Sequence, residues 1–486
     1  MDKPIHRTAH WRSKHALMAA LIASLAGCAG LPELPPAAAP AAPPAAPPPA
    51  PAQWQAPAPA TGAADPLAAV AWWSGFGDPL LPALIEAAQG ASPTLAAAAA
   101  RIEAARAALA GARAGLMPRL EAAGSVTQSR SAPGTSSIDV ATLGLQAGWE
   151  LDLFGARAAA RDAAGQRLRA ADAQRHAIRT AVAAEVGTAF VALRACEAQL
   201  GPVAADAASR EQTATLTEQS ARAGIVAPAS AALARASAAQ GRAQLAQQRA
   251  TCDLLVKALV ALAALDEPDL RSRLAAAGAR QPQPAALPPL GVPADLLARR
   301  PDLVAAAHAV EAAAADRTQA TAERWPQVTL AGSVGTTRVA TAAGAVDGTT
   351  FSVGPLAVTL PLFDGGRRAA GEVAARAAYD DAVTQLQGAL RGAVREVEDA
   401  LVALQSTAAR EADVGIATEG FAASLRAAEA RWRGGVGSLF ELEDARRSAL
   451  AAQSALVELR RERATAWINL YRALGGGFEP DRPALR

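Results

Sequence analysis

The chain has 486 residues, a net charge of +2 and no basic run beyond its N-terminal segment, a balance that argues against nucleic acid as a partner. Its hydrophobic fraction is 51%, but much of that is Ala and aromatics are only 4%, too little bulk for a large globular core. Such a composition suits close helix–helix approach over long distances.

Lys3, Arg7, Arg12 and Lys14 lead a short apolar run, Ala16 to Ala26, closed by Gly27 and Cys28. Basic head, short apolar stretch and small residues predict a secretory signal peptide over residues 1–27, not a membrane helix. After it no 18 apolar residues run together without charge, so no helix is predicted to span a bilayer. Residues 28–64 are mostly Pro and Ala and predict an extended tether that does not pack.

Residues 65–265 and 293–474 then read as two copies of one unit, joined by a Pro-rich link at 266–292 and followed by a peripheral tail at 475–486. Ser92-Pro93-Thr94-Leu95 matches Arg300-Pro301-Asp302-Leu303 at an offset of 208 residues. Leu116-Met117-Pro118-Arg119-Leu120 matches Arg324-Trp325-Pro326-Gln327-Val328 at the same offset.

In the first copy, Asp78 to Gly115 is predominantly helical and Pro118 ends it. Residues 119–131 and 138–153 alternate and predict two strands around a polar loop with Pro133-Gly134. Leu143, Leu145, Ala147, Trp149, Leu151 and Leu153 fall on one face of the second strand, and Gly144, Gln146, Gly148, Glu150 and Asp152 on the other. A helix from Gly155 to Arg222 follows, about 100 Å long at about 1.5 Å per residue. Gly224-Ile225-Val226-Ala227-Pro228 turns the chain back into a helix over Ser230 to Leu265.

The second copy repeats this order. A helix is predicted over Pro293 to Glu323, then strands at 327–338 and 350–363 around a Gly/Ala/Thr loop at 339–349. A bulge is expected at Gly354-Pro355, where the alternation changes phase. A second long helix runs from Asp364 to Arg433, the turn is Gly434 to Gly437, and the return helix is Leu439 to Leu474.

No nucleophile–base pair, phosphate loop or metal-ligand spacing is present, and His176 and His308 lie far apart on helical patterns. The chain is therefore read as a non-enzyme without cofactor or metal. Arg395, Glu396, Glu398 and Asp399 read as solvated or interhelical pairs. Cys196 and Cys252 stand 30 residues before and 26 after Val226. An antiparallel hairpin sets them at similar height, about 6 Å apart along the axis. In an oxidising compartment that spacing predicts a disulfide, with two buried free thiols as the alternative.

Four strands of membrane length with one apolar face cannot close a barrel alone, because an open edge in lipid leaves backbone groups unpaired. Three chains would supply twelve strands, with Glu121, Gln146, Glu150, Asp152 and Thr329 lining a water-filled lumen. The fold class this predicts is an α+β membrane protein with four strands per chain that close with other copies into a transmembrane β-barrel, the long helices running away from the membrane. A periplasmic coiled-coil adaptor or structural lipoprotein without a pore would explain the helices and the tether. It would not explain the strands.

The sequence resembles the TolC-like outer-membrane factors, and within them the lipidated NodT-type efflux proteins. The resemblance covers the whole mature region. It rests on WELDLFG at Trp149, ADLLARRPDLVAAAHAVEAAAADRTQATAERWPQV from Ala294, LPLFDGGRR at Leu360, VREVEDALVAL at Val394 and RWRGGVGSLFELEDARRS from Arg431. It implies the full form, a trimeric twelve-strand transmembrane β-barrel continued by a long α-helical periplasmic barrel. It also implies that this homotrimer docks to a periplasmic membrane-fusion adaptor and an inner-membrane pump of RND type, with small molecules exported through it. By position, Gly224, Ile225, Val226 and Ala227 and Gly434, Gly435, Val436 and Gly437 match the helical tips that meet the adaptor and where the tunnel narrows. Gly437 stands where several relatives carry Asp, and no carboxylate is matched at the narrowing. Leu25-Ala26-Gly27-Cys28 resembles the bacterial lipobox, which implies cleavage before Cys28 and acylation of it. Ala29 after it implies sorting to the outer membrane of a Gram-negative cell.

Overall fold

A computed structural model describes residues 53–56, 69–130, 137–278, 280–284 and 297–478. The predicted signal peptide, Cys28, most of the tether, the Pro133-Gly134 loop and the end of the tail lie outside these residues.

The first copy begins with α1 (Ala69–Ser74), α2 (Leu80–Ala91) and α3 (Pro93–Ala114). Ser92 caps α3 through a side-chain bond from the Leu95 amide, and Pro93 opens it, which splits the predicted long helical stretch in two. Strands β1 (Arg119–Ser129) and β2 (Ile138–Leu151) follow, then α4 (Ala156–Arg222) and α5 (Pro228–Ala263). The second copy comprises α7 (Pro301–Ala322), β3 (Gln327–Thr341), β4 (Gly344–Thr359), α8 (Arg367–Arg433) and α9 (Leu439–Ala473). The two copies match in length as well as order: α3 and α7 have 22 residues each, and α4 and α8 have 67 each.

Three expectations are corrected. The link at 266–292 is not wholly irregular, because α6 (Glu267–Ala277) forms within it. Arg271 pairs with Glu267, Arg273 pairs with Asp269, both at helical i,i+4 spacing, and Leu270 and Leu274 are buried. The Gly/Ala/Thr stretch at 339–349 is not a loop. β3 and β4 continue through it, paired from Arg338↔Asp347 to Thr341↔Gly344, so only Ala342 and Ala343 turn the hairpin. Its small residues hide the alternation, but Val339 faces Val346 and the backbone ladder is continuous. β4 in turn ends at Thr359, short of the predicted 363, and β2 ends at Leu151.

The four strands make one antiparallel sheet in the order β1-β2-β3-β4, which leaves β1 and β4 as edges. The β3–β4 register shifts between Leu330 and Gly332, opposite the Gly354–Pro355 step, where β4 holds the extra residue. Below the sheet, α3 and α5 lie along α4, and α7 and α9 lie along α8. α7 and α9 also pack on α4, which joins the copies.

The main core lies not at the sheet but halfway down the helices. Trp72, Trp73 and Phe76 from α1 and the loop after it, and Leu81 and Leu84 from α2, pack on Phe190 and Leu193 of α4, Leu401 of α8 and Ile468 of α9. Trp72 stacks on Trp467 at 4.8 Å. Large side chains are concentrated in this belt, which is why a chain so poor in aromatics still has a rigid waist. Two expected bystanders belong to it. Trp54, in the segment read as an unpacked tether, packs on the core, and the Gln55 and Ala56 amides donate to Glu398 at 2.8 Å each. The tail is also packed as far as Phe478, which meets the His176 ring at 4.9 Å. The Tyr471 hydroxyl donates to the Gly476 carbonyl.

Buried arginines tie the waist together. Arg194 is fully buried and bonds Glu197, Asp78 and the Leu274 carbonyl. Arg300 reaches Asp302 with two nitrogens, Glu396 at 2.8 Å and the Ala473 carbonyl at 2.9 Å, joining α7, α8 and α9. Cys196 and Cys252 are disulfide-bonded, with Cα atoms 5.6 Å apart, and link α4 to α5 within the waist.

Candidate functional site

The sheet has two unlike faces. Directly opposed residues share a face, so the row Glu121, Gln146, Ser333, Ser352 lies on one side. Glu150, Thr329 and Ala357 form another row of that face. Ser125 and Thr142 hydroxyls meet at 2.8 Å there, as do those of Ser333 and Ser352. Four of the five residues predicted to share a polar wall therefore do so. The fifth, Asp152, does not. The strand stops at Leu151, and the Asp152 carboxylate accepts the Arg157 and Ala158 amides at the start of α4. Alternation continued past the strand end placed it wrongly; the free amides of a helix N-terminus claim it instead. Asp364 serves the second junction, accepting the Gly366 and Arg368 amides. Those bonds and the Arg368 charge outweigh desolvation and hold its carboxyl below the usual carboxylate range.

The opposite face carries Leu120, Val126, Leu143, Leu145, Trp149, Val334, Phe351, Val353, Leu356 and Val358, all exposed. Phe351 is 83% and Val353 90% exposed, so nothing among the described residues covers this face. A contiguous apolar surface of that size on strands of 11 to 16 residues is the signature of a face turned to lipid.

At the far end of the helices are two matching tips. α4 ends with the Ile225 amide bonded to the Ser220 carbonyl across Gly224, whose φ is +71°. α8 ends with the Val436 amide bonded to the Arg431 carbonyl across Gly435, φ +75°. Each tip thus exposes one β-branched aliphatic, Ile225 and Val436, both 76% exposed. Gly437 has a different reason to be glycine: a Cβ there would lie 2.9 Å from the Trp432 nitrogen and 3.1 Å from the Arg431 carbonyl carbon. Ser438 then opens α9 with a capping box to Glu441.

Just above the tips, a buried polar network joins α4, α5 and α9. Arg210 bonds Asp206 at 2.6 Å and Ser237 at 2.9 Å, and Ser237 donates to Glu443 at 2.6 Å. Glu443 also takes Arg446, which reaches the Ser209 and Thr213 hydroxyls at 2.6 and 2.8 Å. The network holds the two tips at one level. Sequence reading left these arginines unremarked, because nothing in an Ala-rich helix marks which face is covered. Among the described residues no group of His, Cys, Asp and Glu is arranged to hold a metal, and no helix is long and apolar enough to cross a membrane.

Comparison with known proteins agrees with this geometry. The outer membrane efflux protein family matches residues 84–265 and 292–476. The outer membrane protein OprJ of Pseudomonas aeruginosa is 32% identical over 69% of this chain and 69% of its own. Nodulation protein T of Rhizobium leguminosarum bv. trifolii is 28% identical over 85% of this chain and 88% of its own. The crystal structure of the outer membrane protein VceC of Vibrio cholerae superposes with a TM-score of 0.72 at 30% identity, covering 84% of this chain and 99% of that one. A sheet with one lipid-type face above two long helical hairpins, matched over most of its length by such proteins, places the chain in the outer membrane efflux protein family, resident in the outer membrane and reaching into the periplasm.

Proposed function

We propose that three copies of this chain close into a twelve-strand transmembrane barrel continued by a helical tunnel, the passive exit duct of a tripartite efflux system. The observation that carries this reading is the sheet: one polar face, one exposed apolar face and two unpaired edges. Unpaired backbone groups in hydrocarbon cost several kcal/mol each, so β1 and β4 must find partners. The helices have the same asymmetry. α3 and α5 flank one side of α4, whereas α8 has both its neighbours, α7 and α9, on its inner side. One kind of edge therefore meets the other head to tail, an arrangement that a rotation closes into a ring.

Turned inward, the polar face puts Glu121, Gln146, Glu150 and Thr329 on the lumen wall. The tips at Gly224–Ala227 and Gly434–Gly437 dock a periplasmic adaptor, with Ile225 and Val436 as apolar anchors. An inner-membrane pump of RND type supplies the energy and chooses among drugs and other toxic compounds. Residues 1–27 are removed as a signal peptide and Cys28 is acylated.

Deleting the gene is expected to raise intracellular accumulation of fluorescent efflux dyes several-fold. The intact chain should reverse this. A chain with Ile225→Asp and Val436→Asp should not, although it still reaches the outer membrane as an oligomer. Unchanged dye accumulation on deletion would contradict the efflux role.

A further inference from the structure

At the sheet–helix boundary, Phe154 and Trp325 stack at 5.6 Å with rings 13° from parallel. They head an open cleft of ≈ 500 Å³ that continues down between α7 and α8, past Thr318 and Thr321, to Arg317 and Tyr379. Its side of the molecule follows from α7 itself. Ala314, Arg317, Thr318, Thr321 and Trp325 recur at spacings of three and four and share one face. Glu323 points the other way, within electrostatic reach of Arg157, which pairs with Glu150 on the polar face of the sheet. The cleft therefore opens beneath the apolar face.

Its chemistry is that of a membrane interface. Both stacked rings are part-exposed, the placement aromatic side chains take at headgroup level. Arg317 lies 6.0 Å over the Tyr379 ring, and no carboxylate among the described residues pairs with it. Nearby, Arg324 is paired with Glu372, Arg167 with Asp316 and Arg157 with Glu150. An exposed, unpaired guanidinium on the wall of an aromatic cleft, next to a lipid-facing surface, suits a phosphate diester. We propose that each chain seats the phosphate headgroup of one anionic glycerophospholipid here, with Arg317 on the phosphate and an acyl chain rising past Phe154 and Trp325 along the sheet. This rests on the barrel reading above.

The test is native mass spectrometry of the detergent-extracted protein titrated with phosphatidylglycerol. One lipid per chain is expected. Arg317→Gln should weaken it about tenfold, the loss of one charge-assisted hydrogen bond. Arg167→Gln, at the same height on the opposite side, should leave it unchanged. Equal lipid retention by Arg317→Gln would overturn the seat. So would displacement of the lipid by millimolar inorganic phosphate, which would mark a simple anion site. Oligomer mass in the same spectra reports separately on the barrel: adducts absent from an intact oligomer count against the seat alone.

Discussion

Arg300 is the residue on which the second copy turns. Its guanidinium is buried while both carboxylates it holds, Asp302 and Glu396, reach solvent. Replacement by Ala should cost about 2–3 kcal/mol, below the range for a fully buried pair because water screens the partners. Thermal unfolding of the two proteins would measure it. Burial alone would raise the Asp302 carboxyl, but the bonds and charge of Arg300 prevail and hold it low. A lowered folded pKa stabilises above the unfolded value and is lost as pH falls through the folded one. The Arg300 contribution should therefore be complete above about pH 4 and fade only below it. A wild-type-minus-Arg300→Ala difference that declined between pH 7 and 5 would contradict this pairing. The disulfide closes a loop of 56 residues, so Cys252→Ser should remove about 4 kcal/mol in the chain-entropy description. Alkylation of both thiols in the folded, unreduced protein would show that no bond forms. The cysteine pair was legible by counting from a turn. Arg300 sits in a motif the sequence displays, but its burial depends on α8 and α9, hundreds of bonds away along the chain.

At the scale of elements, helices and tips were legible because Gly and Pro punctuate them, and the repeat fixed their order twice. The tip of the β3–β4 hairpin, residues 339–349, and α6 were not. Small residues give no periodic signal in the first, and Pro-rich flanks mask the second. The two tips should answer alike substitutions differently. Gly224→Ala places a side chain at φ +71° with open space around it, a cost of about 1 kcal/mol. Gly437→Ala forces the Arg431–Trp432 backbone to move. Hydrogen exchange should therefore rise sharply around residues 431–441 in the second variant and little around 220–228 in the first. Equal exchange in both would show that the close approach at Gly437 is unimportant.

For the whole molecule, the pattern of the sequence reached further than the fold of one chain, because an apolar sheet face and two open edges are statements about missing partners. Neither face nor edge is satisfied among the described residues. A pore-less periplasmic protein would have to hide Phe351, Val353 and their row from water, and nothing among the described residues does so. The most direct measurement is the mass of the protein extracted from isolated outer membranes in detergent. A particle of three chains that buffer alone does not release is expected. A single chain washed free without detergent would contradict the duct.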